Sequence, residues 1–287
     1  MNNSPLISTA DLEARLGDPG LSVLDASWYL PDQRRDPAAE FLAARVPGAV
    51  RFDIDAIADT ASGYPHTLPA AGLFARAVAA LGVTNDSDVV VYDGLGFFAA
   101  PRVWWMFRTF GHDRVRVLDG GFPKWRAEGR PTENGPARIS PAARPFATAF
   151  RPEMVWSTAE VLENLEHAEA LILDARGPGR FEGREAEPRP GVRPGHIPGS
   201  RNLHYARLAD TEDGTFQHPE GLARLFSEAG VEAGRPVVCS CGSGVTACAL
   251  ALGLEILGHG GVAVYDGSWS EWGTRTDTPV ETGPAGP

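Results

Sequence analysis

The chain has 287 residues, 43% of them hydrophobic and 22% charged, with a formal net charge of −11. That length is generous for one core and suits two soluble globular domains. The acidic balance argues against a nucleic-acid surface, three cysteines are too few for a disulfide framework, and no apolar run reaches the roughly 18 residues of a membrane span.

The amino-terminal stretch Met1-Asn2-Asn3-Ser4-Pro5-Leu6 lacks a basic region followed by an apolar core, so no signal peptide is expected. A reducing, cytoplasmic location is the expectation, and a reactive thiol survives there. Apolar β-branched runs predict strands at 21–24, 89–91 and 115–118, with helical patterns at 73–81 and 100–110. Residues 130–155 are rich in Pro, Ala and Arg without periodicity and read as a linker on the surface. Strands are again expected at 171–173, 237–238 and 262–264, and helices at 221–229 and 245–257. Such alternation predicts an α/β fold of two tandem domains, each with a mainly parallel central sheet flanked by helices. The expected boundaries are 1–129, a linker 130–155, and 156–287.

The two halves repeat one another. Ile7-Ser8-Thr9-Ala10-Asp11-Leu12 matches Trp156-Ser157-Thr158-Ala159-Glu160-Val161, and Val23-Leu24-Asp25-Ala26 matches Ile172-Leu173-Asp174-Ala175. Val46-Pro47-Gly48-Ala49 answers Ile197-Pro198-Gly199-Ser200, and Leu118-Asp119-Gly120-Gly121 answers Tyr265-Asp266-Gly267-Ser268. Matches in unbroken order over the whole length mean a duplicated domain.

Chemistry concentrates in Cys239-Ser240-Cys241-Gly242-Ser243-Gly244-Val245-Thr246. A cysteine at a strand end, followed by a glycine-rich loop and a helix, suits nucleophilic sulfur. Gly242 and Gly244 let the backbone curl so that N–H groups point inward, and the helix brings its positive end toward the sulfur. Aligning Val89-Val90-Val91-Tyr92-Asp93-Gly94 with Val237-Val238-Cys239-Ser240-Cys241-Gly242 places Asp93 opposite Cys241. One active site per chain is therefore expected, in the second half, with the first half as one wall of a cleft. A buried structural thiol is the plainer reading of Cys241. For Cys239 and Cys248 a core role is expected. A zinc site from the three lacks paired spacing and a fourth ligand, so no metal or cofactor is implied.

The chain resembles the two-domain rhodanese-type sulfurtransferases, and its Cys241-Gly242-Ser243-Gly244-Val245-Thr246 loop is similar to the 3-mercaptopyruvate sulfurtransferase form. Further matches are Gly195-His196-Ile197-Pro198-Gly199, Tyr265-Asp266-Gly267-Ser268-Trp269-Ser270-Glu271-Trp272 and Ala100-Pro101-Arg102-Val103-Trp104-Trp105. The resemblance implies sulfur transfer from 3-mercaptopyruvate through a Cys241 persulfide to a thiol such as thioredoxin or a small thiol, or to cyanide, with pyruvate released. It implies Arg180 (in Gly179-Arg180-Phe181) and Arg189 (in Glu187-Pro188-Arg189) as the groups that hold the 2-oxo acid. Planar guanidinium pairs match such an acid bidentately. The loop residues Gly242, Gly244, Val245 and Thr246 would cradle the transferred sulfur. Phe52-Asp53-Ile54-Asp55 and Tyr64-Pro65-His66-Thr67 resemble segments from which Asp55 and His66 would work with Ser243.

Plainer readings stand beside these. Arg180, Arg189, Arg184 and Arg193 lie in a polar loop, 177–194, where arginines are usually solvated. His66 suits a loop hydrogen bond, and Asp55 suits a cap on a helix-like run after it. His196 reads as structural, Trp104, Trp105, Trp269 and Trp272 as core, and Trp28 as a candidate for the cleft. Arg45, where relatives often carry His, is expected to touch packing only. Thiosulfate-preferring relatives carry cations where this chain has Gly242 and Ser243, which places a thiosulfate sulfurtransferase second. A cysteine phosphatase needs a phosphate-gripping arginine at the sixth residue after the cysteine, which is Ala247 here. A non-enzymatic binding module is the remaining alternative.

Overall fold

The computed structural model describes residues 4–286; the first three residues of the stretch read above for a signal peptide lie outside it. The chain divides into two compact units. The first comprises Met1–Asp59, Leu68–Arg151 and Thr211–Phe216, and the second comprises Thr60–Thr67, Pro152–Asp210 and Gln217–Pro287. The units are not contiguous in sequence, unlike the expected domains 1–129 and 156–287. Each takes one short segment from the other half.

In the first unit, strands β1 (Leu6–Ile7), β2 (Leu21–Asp25), β3 (Val50–Arg51), β4 (Asp88–Tyr92) and β5 (Val115–Leu118) form a wholly parallel sheet, ordered β1-β5-β4-β2-β3. In the second, β6 (Val155–Trp156), β7 (Leu171–Asp174), β8 (Arg201–Asn202), β9 (Val237–Ser240) and β10 (Val262–Tyr265) repeat that order as β6-β10-β9-β7-β8, again parallel. The near-continuous apolar runs of β4, β7 and β9 suit strands covered on both faces by crossover helices. The four edge strands have two residues each, too short to show a period, which is why pattern reading passes over them.

The repeated motifs acquire physical roles. In Ser8-Thr9-Ala10-Asp11 and Ser157-Thr158-Ala159-Glu160 the serine caps a helix, Thr9–Ala14 and Thr158–His167 respectively, by accepting from the N–H of Asp11 or Glu160. Ser157 and Glu160 complete a capping box. Trp125 and Trp272 anchor the two cores, each indole N–H donating to a proline carbonyl, Pro131 at 2.8 Å and Pro279 at 2.7 Å. Trp104, Trp105 and Trp269 are likewise buried.

The segment 130–155 is more than a surface strap. Phe146 is buried, packed edge-on against Phe74 and Phe107, and Ala142 N–H donates to Ala79. Glu133 exchanges backbone hydrogen bonds with Arg45, whose buried guanidinium sits 4.8 Å over the Phe41 ring and pairs with Glu133 at 3.0 Å. Arg45 is thus a packing residue. Strand β6 begins at Val155, inside the stretch read as linker. Among the described residues, no helix is long and apolar enough to cross a membrane, and no cluster of three or more His, Cys, Asp or Glu is placed to hold a metal ion.

Candidate active site

The second unit's central strand β9 ends at Ser240, and the loop 241–246 leads into the helix Ala247–Ile256. Cys241 is 1% exposed. The loop is held through its carbonyls. Trp269 N–H donates to Cys241 O at 2.9 Å, and Ser270 N–H and Oγ donate to Gly242 O at 2.8 and 2.5 Å. Cys248 Sγ donates to Gly244 O at 3.2 Å. Cys241 N–H donates to Ser268 Oγ at 3.2 Å, and that hydroxyl in turn donates to Tyr265 O. Ser268 adopts φ +50°, a left-handed conformation that costs a non-glycine residue on the order of 1 kcal/mol. Its two hydrogen bonds hold it there, and Gly121, its counterpart in the first half, has φ +55°. Gly244, at φ +75°, makes the loop's own reversal.

Arg180, on the short helix Pro178–Phe181, lies against this loop. A Cβ placed on Gly242 would stand 3.0 Å from its guanidinium, so a side chain there would press Arg180 back by a few tenths of an ångström. Glu187 fixes Arg180, accepting from Nη2 at 2.5 Å and from Nε at 3.4 Å. Glu187 Oε1, which faces Arg180 Nε, also accepts from Arg176 Nη1 at 2.7 Å. Arg176 is buried, chelated by Asp174 at the end of β7 and 4.4 Å over the Trp269 ring. Burial works against the Arg176 charge, but the Asp174 and Glu187 carboxylates more than offset it and hold the guanidinium above its ordinary value. Arg189 reaches the same loop by a second route, donating to Ser270 Oγ at 3.4 Å, which itself donates to Gly242 O.

His66 belongs to the second unit through the segment Thr60–Thr67. Its Nδ1 shares a hydrogen bond with Ser243 Oγ at 3.0 Å, with both residues buried. The His66 backbone sits at φ +61°, an uncommon conformation for a non-glycine residue and a mark of a constrained position. Asp55 lies in the first unit, where it accepts from Trp28 Nε1 at 2.9 Å. The residues directly after it form a turn and not a helix. The turn there is capped instead by Asp53, which accepts from the N–H groups of Asp55 and Ala56. Arg184 pairs with Glu182 on the surface, and Arg193 donates to Trp272, Gly273 and Thr278 as a structural tie. His196, stacked 3.8 Å from Phe181 and bonded to its carbonyl, ties that helix to the segment at Glu281. Burial pushes the Cys239 thiol well up, as befits an inert core cysteine.

Asp174, Glu187, Ser268 and Ser270 stand in the sequence within motifs that assign them no supporting role, and Arg176 stands in none of them. The Ser-x-Ser pattern before Trp272 was a usable signal, since hydroxyls two residues apart at a helix start can hold two successive loop peptides.

The first unit shows what the same loop does with a negative charge. Asp93, opposite Cys241, is buried, and its carboxylate accepts 2.8 Å hydrogen bonds from the N–H groups of Leu95, Ala99 and Ala100 at the start of the helix Ala100–Thr109. Burial holds its carboxyl above the ordinary range, and these amides pull the other way. This loop-to-helix turn receives an anion, supplied here by the chain itself.

The sequence profile of the rhodanese-like domain matches residues 8–128 and 157–275. A thiosulfate/3-mercaptopyruvate sulfurtransferase of Arabidopsis thaliana, named as mitochondrial, is 43% identical over 98% of this chain and 79% of its own length. The 3-mercaptopyruvate sulfurtransferase of Rattus norvegicus is 46% identical over 89% of this chain and 86% of its own. The crystal structure of a 3-mercaptopyruvate sulfotransferase from Escherichia coli superposes with a TM-score of 0.84 at 38% identity, covering 93% of this chain and 99% of that one. The chain belongs to the rhodanese-like family, with one copy of the domain in each half. Within that family it is a sulfurtransferase.

Proposed function

We propose that the chain transfers sulfur from 3-mercaptopyruvate to a thiol, through a persulfide on Cys241. The observation that carries this reading is the seating of the Arg180 guanidinium against Gly242, with Arg189 joined to the same carbonyl through Ser270. The loop itself presents no cationic side chain at Gly242 or Ser243. Its positive charge comes from the side, as a small 2-oxo acid requires and a dianionic sulfonate beside the sulfur does not.

The Cys241 sulfur attacks the donor's sulfur, the S–S bond forms, and the C–S electron pair leaves with the carbon fragment as the pyruvate enolate. Arg180 and Arg189 grip the carboxylate and carbonyl and stabilise the charge developing on the enolate oxygen. A proton delivered to the enolate carbon completes pyruvate. The Ser243–His66 pair, 3.0 Å apart, is the relay proposed to hold and move that proton. The outer persulfide sulfur rests among the amides of Gly242, Gly244, Val245 and Thr246. The Asp93 carboxylate occupies the equivalent turn in the first half, which supports this placement. An acceptor thiol, thioredoxin or a small molecule, or cyanide in an assay, then removes the sulfur, giving ping-pong kinetics. A cytoplasmic site of action is part of the same reading.

Intact-mass measurement after parallel exposure to 3-mercaptopyruvate and thiosulfate tests it. The expected result is gain of one sulfur atom from mercaptopyruvate at far lower donor concentration. Faster loading by thiosulfate would replace the donor assigned here. For Arg180→Ala, kcat/KM for mercaptopyruvate is expected to fall about 10²- to 10³-fold, the usual loss for one oxyanion-stabilising donor, with little change in urea midpoint. Parallel loss of activity and stability would return Arg180 to a structural role.

A further inference from the structure

A cavity of about 650 Å³ opens in the first unit beside Asp25, the last residue of β2, and Gly94, which follows β4. In open parallel sheets the carboxyl ends of the strands are where small molecules bind, and this volume is of ligand size. It is the first unit's counterpart of the loop and arginine just described, since Gly94 aligns with Gly242. The helices Pro37–Ala43 and Pro178–Phe181 also correspond: each buries one phenylalanine, Phe41 or Phe181, and the residue before it is Glu40 in one half and Arg180 in the other.

The residue at this position thus carries opposite charge in the two halves. A Cβ on Gly94 would collide with the Tyr29 hydroxyl, much as Gly242 accommodates Arg180. That hydroxyl donates to Glu40 at 2.6 Å, and Arg35, stacked 3.8 Å over the Tyr29 ring, donates to both Glu40 oxygens. Three of the roughly four acceptor sites of the Glu40 carboxylate are used, which leaves room for one more donor. Arg126, on the helix Gly121–Ala127, supplies positive charge to the cavity lining, and Phe41, Phe122, Pro123 and Ala44 supply apolar wall. A half that has lost its nucleophile and serves only as scaffold would gain by filling such a space, because interiors pack to high density.

We propose that this cavity is a second small-molecule site and that its ligand is a zwitterion of the α-amino acid class. The ammonium donates to Glu40, the carboxylate pairs with Arg126, and the side chain lies against Phe41, Phe122 and Pro123. The two opposed charges distinguish it from the catalytic site, whose arginines offer only positive charge.

The test is calorimetric titration of the intact chain with L-methionine, N-acetyl-L-methionine and L-methioninamide. L-Methionine is expected to bind about tenfold or more tightly than either derivative, since each lacks one charge-assisted contact. Arg126→Gln should weaken L-methionine to a similar extent and leave sulfur transfer unchanged, whereas Arg180→Ala should leave L-methionine binding intact. Equal binding of all three compounds, or no binding of L-methionine, would overturn the proposal. So would binding lost in Arg180→Ala but kept in Arg126→Gln, and none of these results bears on the persulfide at Cys241.

Discussion

Cys241→Ser is expected to lower sulfur transfer by at least about 10⁴-fold, the scale on which removal of a covalent nucleophile acts. The variant should fold normally. Cys241 makes its scaffold contacts through its backbone, N–H to Ser268 Oγ and C=O from Trp269 N–H, and serine preserves both. What it loses is the ability to accept a sulfur atom. Steady-state rates with mercaptopyruvate, together with intact mass, check this: the mass gain of the wild-type chain should be absent. Cys239→Ala and Cys248→Ala serve as controls, and each should keep the mass gain. A persulfide that forms in Cys241→Ser and disappears in Cys248→Ala would move the chemistry to the other thiol.

The second large effect is expected at Glu187 and should fall on stability as well as turnover. Its carboxylate is 4% exposed and bridges Arg176, 1% exposed, to Arg180, 24% exposed. Glu187→Ala leaves a buried guanidinium short of one of its two carboxylates, a change that typically costs about 3–5 kcal/mol. Asp174, which holds Arg176 from the other side, moderates the loss toward the lower end of that range. Arg180, released from its partner, also ceases to be held against Gly242, so mercaptopyruvate KM should rise. Urea unfolding followed alongside kinetics separates the terms: Glu187→Ala should shift both, Arg180→Ala kinetics only. An unchanged unfolding curve for Glu187→Ala would show that Asp174 alone satisfies Arg176.

Much of the architecture is legible in the sequence because the duplication is read twice. A pattern such as Ser-Thr-Ala followed by an acid is a weak helix signal alone. Its recurrence at Ser8 and Ser157 marks a shared cap, and the sheet orders of the two units repeat accordingly. The two-residue edge strands were not legible, nor was the anchoring of Phe146 or the exchange of 60–67 and 211–216 between units. These features depend on contacts across long stretches of chain and leave no local period. Phe216, for example, enters the first unit by packing 4.3 Å from Phe97 and donating its N–H to Asp119.

The sequence by itself determined where the candidate nucleophile lies and that the chain carries one such position. A thiol in a glycine-rich strand-to-helix turn is a chemical fact of residue type, and Asp93 opposite Cys241 leaves one such turn per chain. Family motifs had already set Arg180 and Arg189 apart from Arg184 and Arg193, and only the tertiary structure decided what holds each of the four. All four stand in one polar loop, but Glu187 and Ser270 hold Arg180 and Arg189 at the cysteine loop, and Glu182 and Thr278 hold Arg184 and Arg193 elsewhere. The physical reason is that a guanidinium's role is set by the acceptors within its reach. Those acceptors lie as few as two and as many as 85 residues away along the chain.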